Sequence, residues 1–145
     1  MKRLILMRHA KTEPWTEGID DFGRALTDQG YSDARRVAEE IVKLGWSPER
    51  ILVSTARRAR ETCSEVAKVV EGERVRPMES LYLSGMRGIA EAVRQNDGAS
   101  TLMVIGHNPG LHALFEADED GAFLPVYFKL ADVMRARDFR EADPA

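Results

Sequence analysis

Residues 3–9 read Arg-Leu-Ile-Leu-Met-Arg-His, four apolar residues that end on a basic pair. Two later stretches have the same form. Ile51-Leu52-Val53 opens onto Ser54-Thr55-Ala56-Arg57-Arg58-Ala59, and Leu102-Met103-Val104-Ile105 opens onto Gly106-His107-Asn108-Pro109-Gly110. Short, continuous apolar runs bounded by turn residues suit strands buried on both faces of a parallel sheet. Between them, apolar residues recur at helical spacing. Ala34, Val37, Ala38, Ile41 and Val42 follow Thr27; Ala59, Thr62, Cys63, Val66, Ala67 and Val70 follow Ser54. Strand alternating with helix predicts an α/β fold, a three-layer sandwich with a mostly parallel central sheet and helices on both faces.

The remaining elements are placed by their stop and start residues. Thr27 is a good N-cap and Gly45 a helix stop, while Ser54 is expected to cap the second helix. His9 to Leu26 contains Pro14, Gly18 and Gly23 without a sustained period, which predicts a long functional loop. Val75–Met78 reads as a short strand, and Ile89, Ala92 and Val93 as a helix ending near Asn96. A further short helix is expected to run to about Phe115, followed by an edge strand over Pro125–Leu130. Residues 131–145 are expected to form a short helix or a loose tail. The whole chain, 1–145, is read as one domain.

Composition narrows the classes of function. The 145 residues carry a net charge of −3, so no general basic field favours nucleic acid. Cys63 is the sole cysteine, which excludes an intrachain disulfide or a cysteine metal cluster, and its helical position predicts a packed thiol. Leu4–Met7 is too short for a signal-peptide core or a membrane span. The expectation is a cytoplasmic protein with neither membrane nor nucleic-acid partners.

Ligands of open α/β sheets bind beyond the carboxyl ends of the strands. Each of the three apolar runs ends there on residues suited to a phosphoryl group. Arg8 offers a permanently charged, bidentate donor, and His9 an imidazole that is partly neutral and nucleophilic near pH ~7. On an extended strand these neighbours point to opposite faces, so both reach one ligand only if the chain bends. Arg57, Arg58 and Arg60 cluster where a helix begins, and spacing alone does not choose among them. His107 and Asn108 sit in a glycine-proline turn that allows close approach to a ligand.

Leu6-Met7-Arg8-His9-Ala10-Lys11-Thr12 resembles the Arg-His-Gly/Ala signature of the histidine phosphatase superfamily. Arg24-Ala25-Leu26-Thr27-Asp28-Gln29-Gly30 is similar to the Arg-Pro-Leu-Thr-x-x-Gly segment of its small branch, the SixA-type phosphohistidine phosphatases. Ser54–Thr62 resembles that branch's Ser-Pro-x-x-Arg-Ala-x-x-Thr, and the Gly106–Gly110 turn completes the set. The likeness runs from Met1 to about Phe115. Thr55 and Ala25 stand where the family has proline, and the chain from about Glu116 departs from its pattern.

The resemblance implies a phosphoglycerate mutase-like fold and His9 as the phosphorylated nucleophile. Arg8, Arg58 and His107 would be the phosphate-pocket residues, with Arg58 chosen over Arg57 by the motif. Arg24 would be an outer contact to phosphate or substrate; Asn108, from its place in the glycine-proline turn, is read as a further binding residue. No metal or cofactor is implied. Larger members of the superfamily carry a glutamate general acid between the second arginine and the second histidine. Glu79–Met86, the corresponding stretch here, has no clear equivalent. An alkoxide leaves poorly without a proton donor, whereas a protonated phosphoimidazole can leave as neutral imidazole. The expected function is therefore a metal-independent protein phosphohistidine phosphatase. A phosphohistidine-bearing protein, either a phosphotransfer domain or a phosphocarrier, would be its substrate and inorganic phosphate its product. The alternatives are a small-molecule phosphomonoesterase, using Glu13, Asp20 or Asp21 as acid, and a non-catalytic anion- or phosphoprotein-binding module.

Overall fold

A computed structural model describes residues 3–70, 74–96, 98–117, 125–128 and 139–141. Among the described residues, six strands form one sheet: β1 (Arg3–Arg8), β2 (Arg50–Ser54), β3 (Arg74–Met78), β4 (Thr101–Gly106), β5 (Pro125–Phe128) and β6 (Phe139–Glu141). Their spatial order is β3-β2-β4-β1-β5-β6. All pairings are parallel except that of β5 with β6. The α-helices among the described residues are α1 (Asp28–Lys43), α2 (Arg57–Ala67), α3 (Met86–Arg94) and α4 (Gly110–Ala117).

The apolar runs build two cores because alternate strand residues face opposite sides. Ile5, Met7, Ile51, Val53, Met103 and Ile105 pack with Ala34, Val37 and Ile41 of α1 and with Ala59, Cys63 and Val66 of α2. Leu4, Leu6, Leu52, Leu102 and Val104 pack on the other side with Ile89 and Val93 of α3 and Leu111 and Leu114 of α4. The expected layered α/β sandwich is observed, with helices on both faces. The Cys63 thiol lies within the first core. No described helix is long and apolar enough to cross a membrane.

Register sets the level of the strand ends. Arg8 lies opposite Gly106, and Val53 opposite Ile105, so β1, β2 and β4 finish together at one sheet edge. The loop after β1 is fixed against α1. Thr27 caps that helix by accepting from the Gly30 N–H at 3.0 Å, and its own N–H donates to the Lys11 carbonyl at 2.9 Å. A Cβ on Gly30 would overlap the Lys11 carbonyl oxygen, so only glycine permits this approach.

Four expectations are corrected. Ser54 does not cap α2; the N-cap is Ala56, and the helix ends at Ala67, short of Val70. Val42 is exposed because Ile41 takes the inward position and the next residue is rotated away from it. The strand predicted at the edge, observed as Pro125–Phe128, lies between β1 and β6. The edge is instead β6, in a segment read as short helix or tail. Its three residues are held by antiparallel pairing with β5, a tertiary cause that local periodicity does not carry. Residues 129–138 and 142–145, including the rest of that segment, lie outside the described residues.

Candidate active site

The first turn beyond β1 decides how His9 is presented. The His9 N–H donates to the Gly106 carbonyl at 3.0 Å, which ties the end of β1 to the end of β4. Ala10 follows, buried, and its N–H donates to Thr62 Oγ1 at 3.0 Å. That hydroxyl in turn donates to the Arg58 carbonyl at 2.7 Å. One buried threonine therefore joins the nucleophile candidate's turn to the first turn of α2.

The tautomer of His9 follows from its partner. Nδ1 lies 2.9 Å from the Ala10 carbonyl oxygen, which can only accept, so Nδ1 carries the proton. Thr12 Oγ1 also donates to that carbonyl, at 2.9 Å. Nε2 is left with its lone pair. Burial pushes the His9 pKa down to about 4, with the Arg58 charge, and then Arg8 and Arg24, acting the same way against the Ala10 hydrogen bond. His9 is neutral at physiological pH.

His107 faces it from the end of β4, ring centroid to ring centroid 5.3 Å and tilted by 55°. Its Nε2 is 2.8 Å from Ser54 Oγ at the end of β2, while Nδ1 is buried without a hydrogen-bond partner. Burial first, and then the Arg58 charge, lower its pKa to about 3. Tyr82 closes one side, with its ring 5.6 Å from His107 and edge-on to Phe22 at 5.1 Å.

Arg58 lies in the first turn of α2 and is buried, whereas Arg57 beside it is half exposed and pairs with Glu61 at 3.4 Å. Arg60 turns away to donate to the Thr55 carbonyl at 2.8 Å. Arg58 Nη1 donates to the Asp21 carbonyl at 2.7 Å and Nη2 to Asp21 Oδ2 at 3.0 Å; Nε is buried and unpartnered. Arg24 holds the other carboxylate oxygen, Oδ1, through Nη2 at 2.8 Å and Nε at 3.1 Å. Tyr82 donates its hydroxyl to Oδ2. These bonds, that of Tyr82 foremost, bring the Asp21 pKa down to about 2.

The structure thus gathers His9, His107 and Arg58 and puts Arg8 and Arg24 within electrostatic range. Arg8 is exposed at the last position of β1, and its charge is a lesser influence on both imidazoles. Asn108 Oδ1 accepts from the His112 N–H at 3.2 Å, at the start of α4. Ser54, Thr62 and Tyr82 belong to the network although sequence reasoning gave them no such part. Ser54 was detectable as the polar residue closing β2 at the edge where His107 closes β4. For Tyr82 the sequence offers no signal. Among the described residues, no three His, Cys, Asp or Glu side chains converge in a metal-binding group.

Residues 4–82 match the model of the histidine phosphatase superfamily (branch 1). An uncharacterized chloroplastic protein of Arabidopsis thaliana is 36% identical over 121 residues, covering 75% of this chain and 55% of that protein. This chain therefore spans about half the length of that relative. Among solved structures, a SixA-named protein of Agrobacterium tumefaciens superimposes with a TM-score of 0.74 at 28% identity, over 78% of this chain and 74% of the other. The protein histidine phosphatase SixA complexed with tungstate gives 0.67 at 28% identity, over 77% and 73%. With the family model matching more than half of its length, the chain belongs to the histidine phosphatase superfamily, branch 1.

Proposed function

We propose that this protein is a metal-independent phosphatase that removes phosphoryl groups from phosphohistidine side chains of other proteins. His9 Nε2 attacks phosphorus, the P–N bond to the substrate imidazole breaks, and that imidazole departs carrying a proton. Water then attacks phospho-His9, releasing inorganic phosphate and restoring the neutral ring. Arg8 and Arg58 neutralise the nonbridging oxygens, the main demand of phosphoryl transfer, and His107 donates a hydrogen bond to one of them. Arg24 contributes from further out, and Asn108 shapes the turn that carries His107.

The observation that carries this reading is that one site holds a neutral, Nδ1-protonated His9 and, bound to Arg58, a carboxylate that stays ionised. Asp21, the carboxylate that contacts Arg58 and Tyr82, is held far below the pKa of a proton donor at neutral pH. A general acid contributes ~10²–10⁴-fold to expulsion of an alcohol, but a protonated imidazole leaves without one. The resemblance of the fold to SixA supports the same substrate class.

The test compares phosphoramidate or a phosphohistidine protein with a sugar phosphate, side by side. Acid-labile label on His9 and a preference of orders of magnitude for the P–N bond are expected. A sugar phosphate preferred by a similar margin overturns the substrate assignment.

A further inference from the structure

Arg58 has a long side chain carrying about 2 kcal/mol of rotamer entropy, and phosphoryl transfer depends on where its donors point. Its side chain is 3% exposed and begins on the first turn of α2. Nothing from its own helix is seen to hold the guanidinium. Both terminal nitrogens go to one residue, with Nη1 on the Asp21 carbonyl and Nη2 on its carboxylate. The third nitrogen, Nε, stays buried and unpartnered, as does Nδ1 of His107. An unpaired buried donor costs about 1–3 kcal/mol, so two of them in neighbouring side chains mark a place built to meet an acceptor.

We propose that Asp21 is a positioning residue of the phosphoryl site: by holding both terminal nitrogens of Arg58, it turns Nε toward the phosphoryl oxygens. This rests on the reading of the site as a phosphoryl pocket and adds what aims its buried arginine. The carboxylate is itself located on three sides, by Arg58, Arg24 and the Tyr82 hydroxyl. A bare carboxylate beside an anion subsite would repel the ligand. Here Arg8, Arg24 and Arg58 outweigh it and leave two positive charges, the complement of a phosphoryl dianion. The same bonds fasten the loop after β1 to Tyr82 and thus to the ring that contacts His107.

The experiment is a double-mutant cycle of Asp21→Ala and Arg58→Ala, read as the single-turnover rate of His9 labelling by phosphoramidate. Asp21→Ala should slow labelling about 10-fold or more when Arg58 is present and less than about 2-fold when it is absent. Equal losses in both backgrounds, as a merely loop-fastening role would give, overturn the proposal while leaving the phosphatase reading intact. No label on His9 in the wild-type protein overturns both. Should Asp21→Ala fail to fold, Asp21→Asn serves in the same cycle. Asp21→Asn should also lower the midpoint of the Tyr82 phenol, which the Asp21 hydrogen bond raises, in an ultraviolet titration read against Tyr82→Phe. An unmoved midpoint removes the contact, and the proposal with it.

Discussion

His107 Nε2 lies 2.8 Å from Ser54 Oγ, a contact between the last residue of β2 and the first residue beyond β4. Because the Ser54 hydroxyl also accepts from the Ala56 N–H at 3.3 Å, its proton is available to the imidazole. A proton given to Nε2 places the ring's own proton on the buried, unpartnered Nδ1. His107 then enters the site as a hydrogen-bond donor, suited to a phosphoryl oxygen.

Ser54→Ala tests this directly. The substitution leaves Nε2 of a buried ring unsatisfied, with an expected cost of about 1–3 kcal/mol in stability. Turnover should fall about 10-fold, with most of the loss in the phosphorylation step. Denaturant melts and single-turnover labelling report the two effects separately.

Both imidazoles should titrate far below the usual histidine range. NMR titration is expected to give midpoints near 4 for His9 and near 3 for His107. An unfolded histidine binds its proton at about 6.5, so below that pH the unfolded chain holds protons the folded one does not. Stability should therefore rise with pH between about 3 and 6.5 from this source and be unaffected by it above. Midpoints near 6.5 in the folded protein would remove this origin of a neutral nucleophile.

Thr62 joins the His9 turn to α2 through one buried hydroxyl. Thr62→Val keeps the shape and strands the Ala10 N–H, at an expected cost of about 1–3 kcal/mol. Equilibrium unfolding measures it. Unchanged stability would mean that the amide finds another partner.

The two adjacent arginines should separate cleanly. Arg58→Ala removes the buried donor and is expected to lower labelling of His9 about 10²–10³-fold while weakening phosphate binding. Arg57→Ala removes a half-exposed ion pair with Glu61 and should change either quantity less than about 2-fold. His9→Ala, in contrast, should abolish labelling and retain phosphate binding through the arginines. Calorimetric phosphate titration and single-turnover rates decide all three.

Much of the molecule is legible before any coordinates. Leu4–Met7, Ile51–Val53 and Leu102–Ile105 are apolar on every position, and only a strand covered on both faces accommodates that pattern. Three such runs, each ending in residues fit for phosphate, suffice for the layered class and for nominating Arg8, His9 and His107. Arg58 is different, since the local pattern offers Arg57, Arg58 and Arg60 equally and the family motif has to choose among them. The final strands are less legible still. Phe139–Glu141 pairs with Val126–Phe128 across intervening chain, and a short strand held only by its neighbour has no signature of its own.

Sequence alone, then, determines which residue types stand at the carboxyl ends of the buried strands, because burial and strand direction are written in local apolar pattern. Tertiary structure decides how those residues are aimed. The Ala10 carbonyl fixes the His9 tautomer, Ser54 reaches His107 across 53 positions, and Asp21 reaches Arg58 across 37. Hydrogen bonds form where the folded sheet and its loops bring donor to acceptor, and no local periodicity encodes that distance.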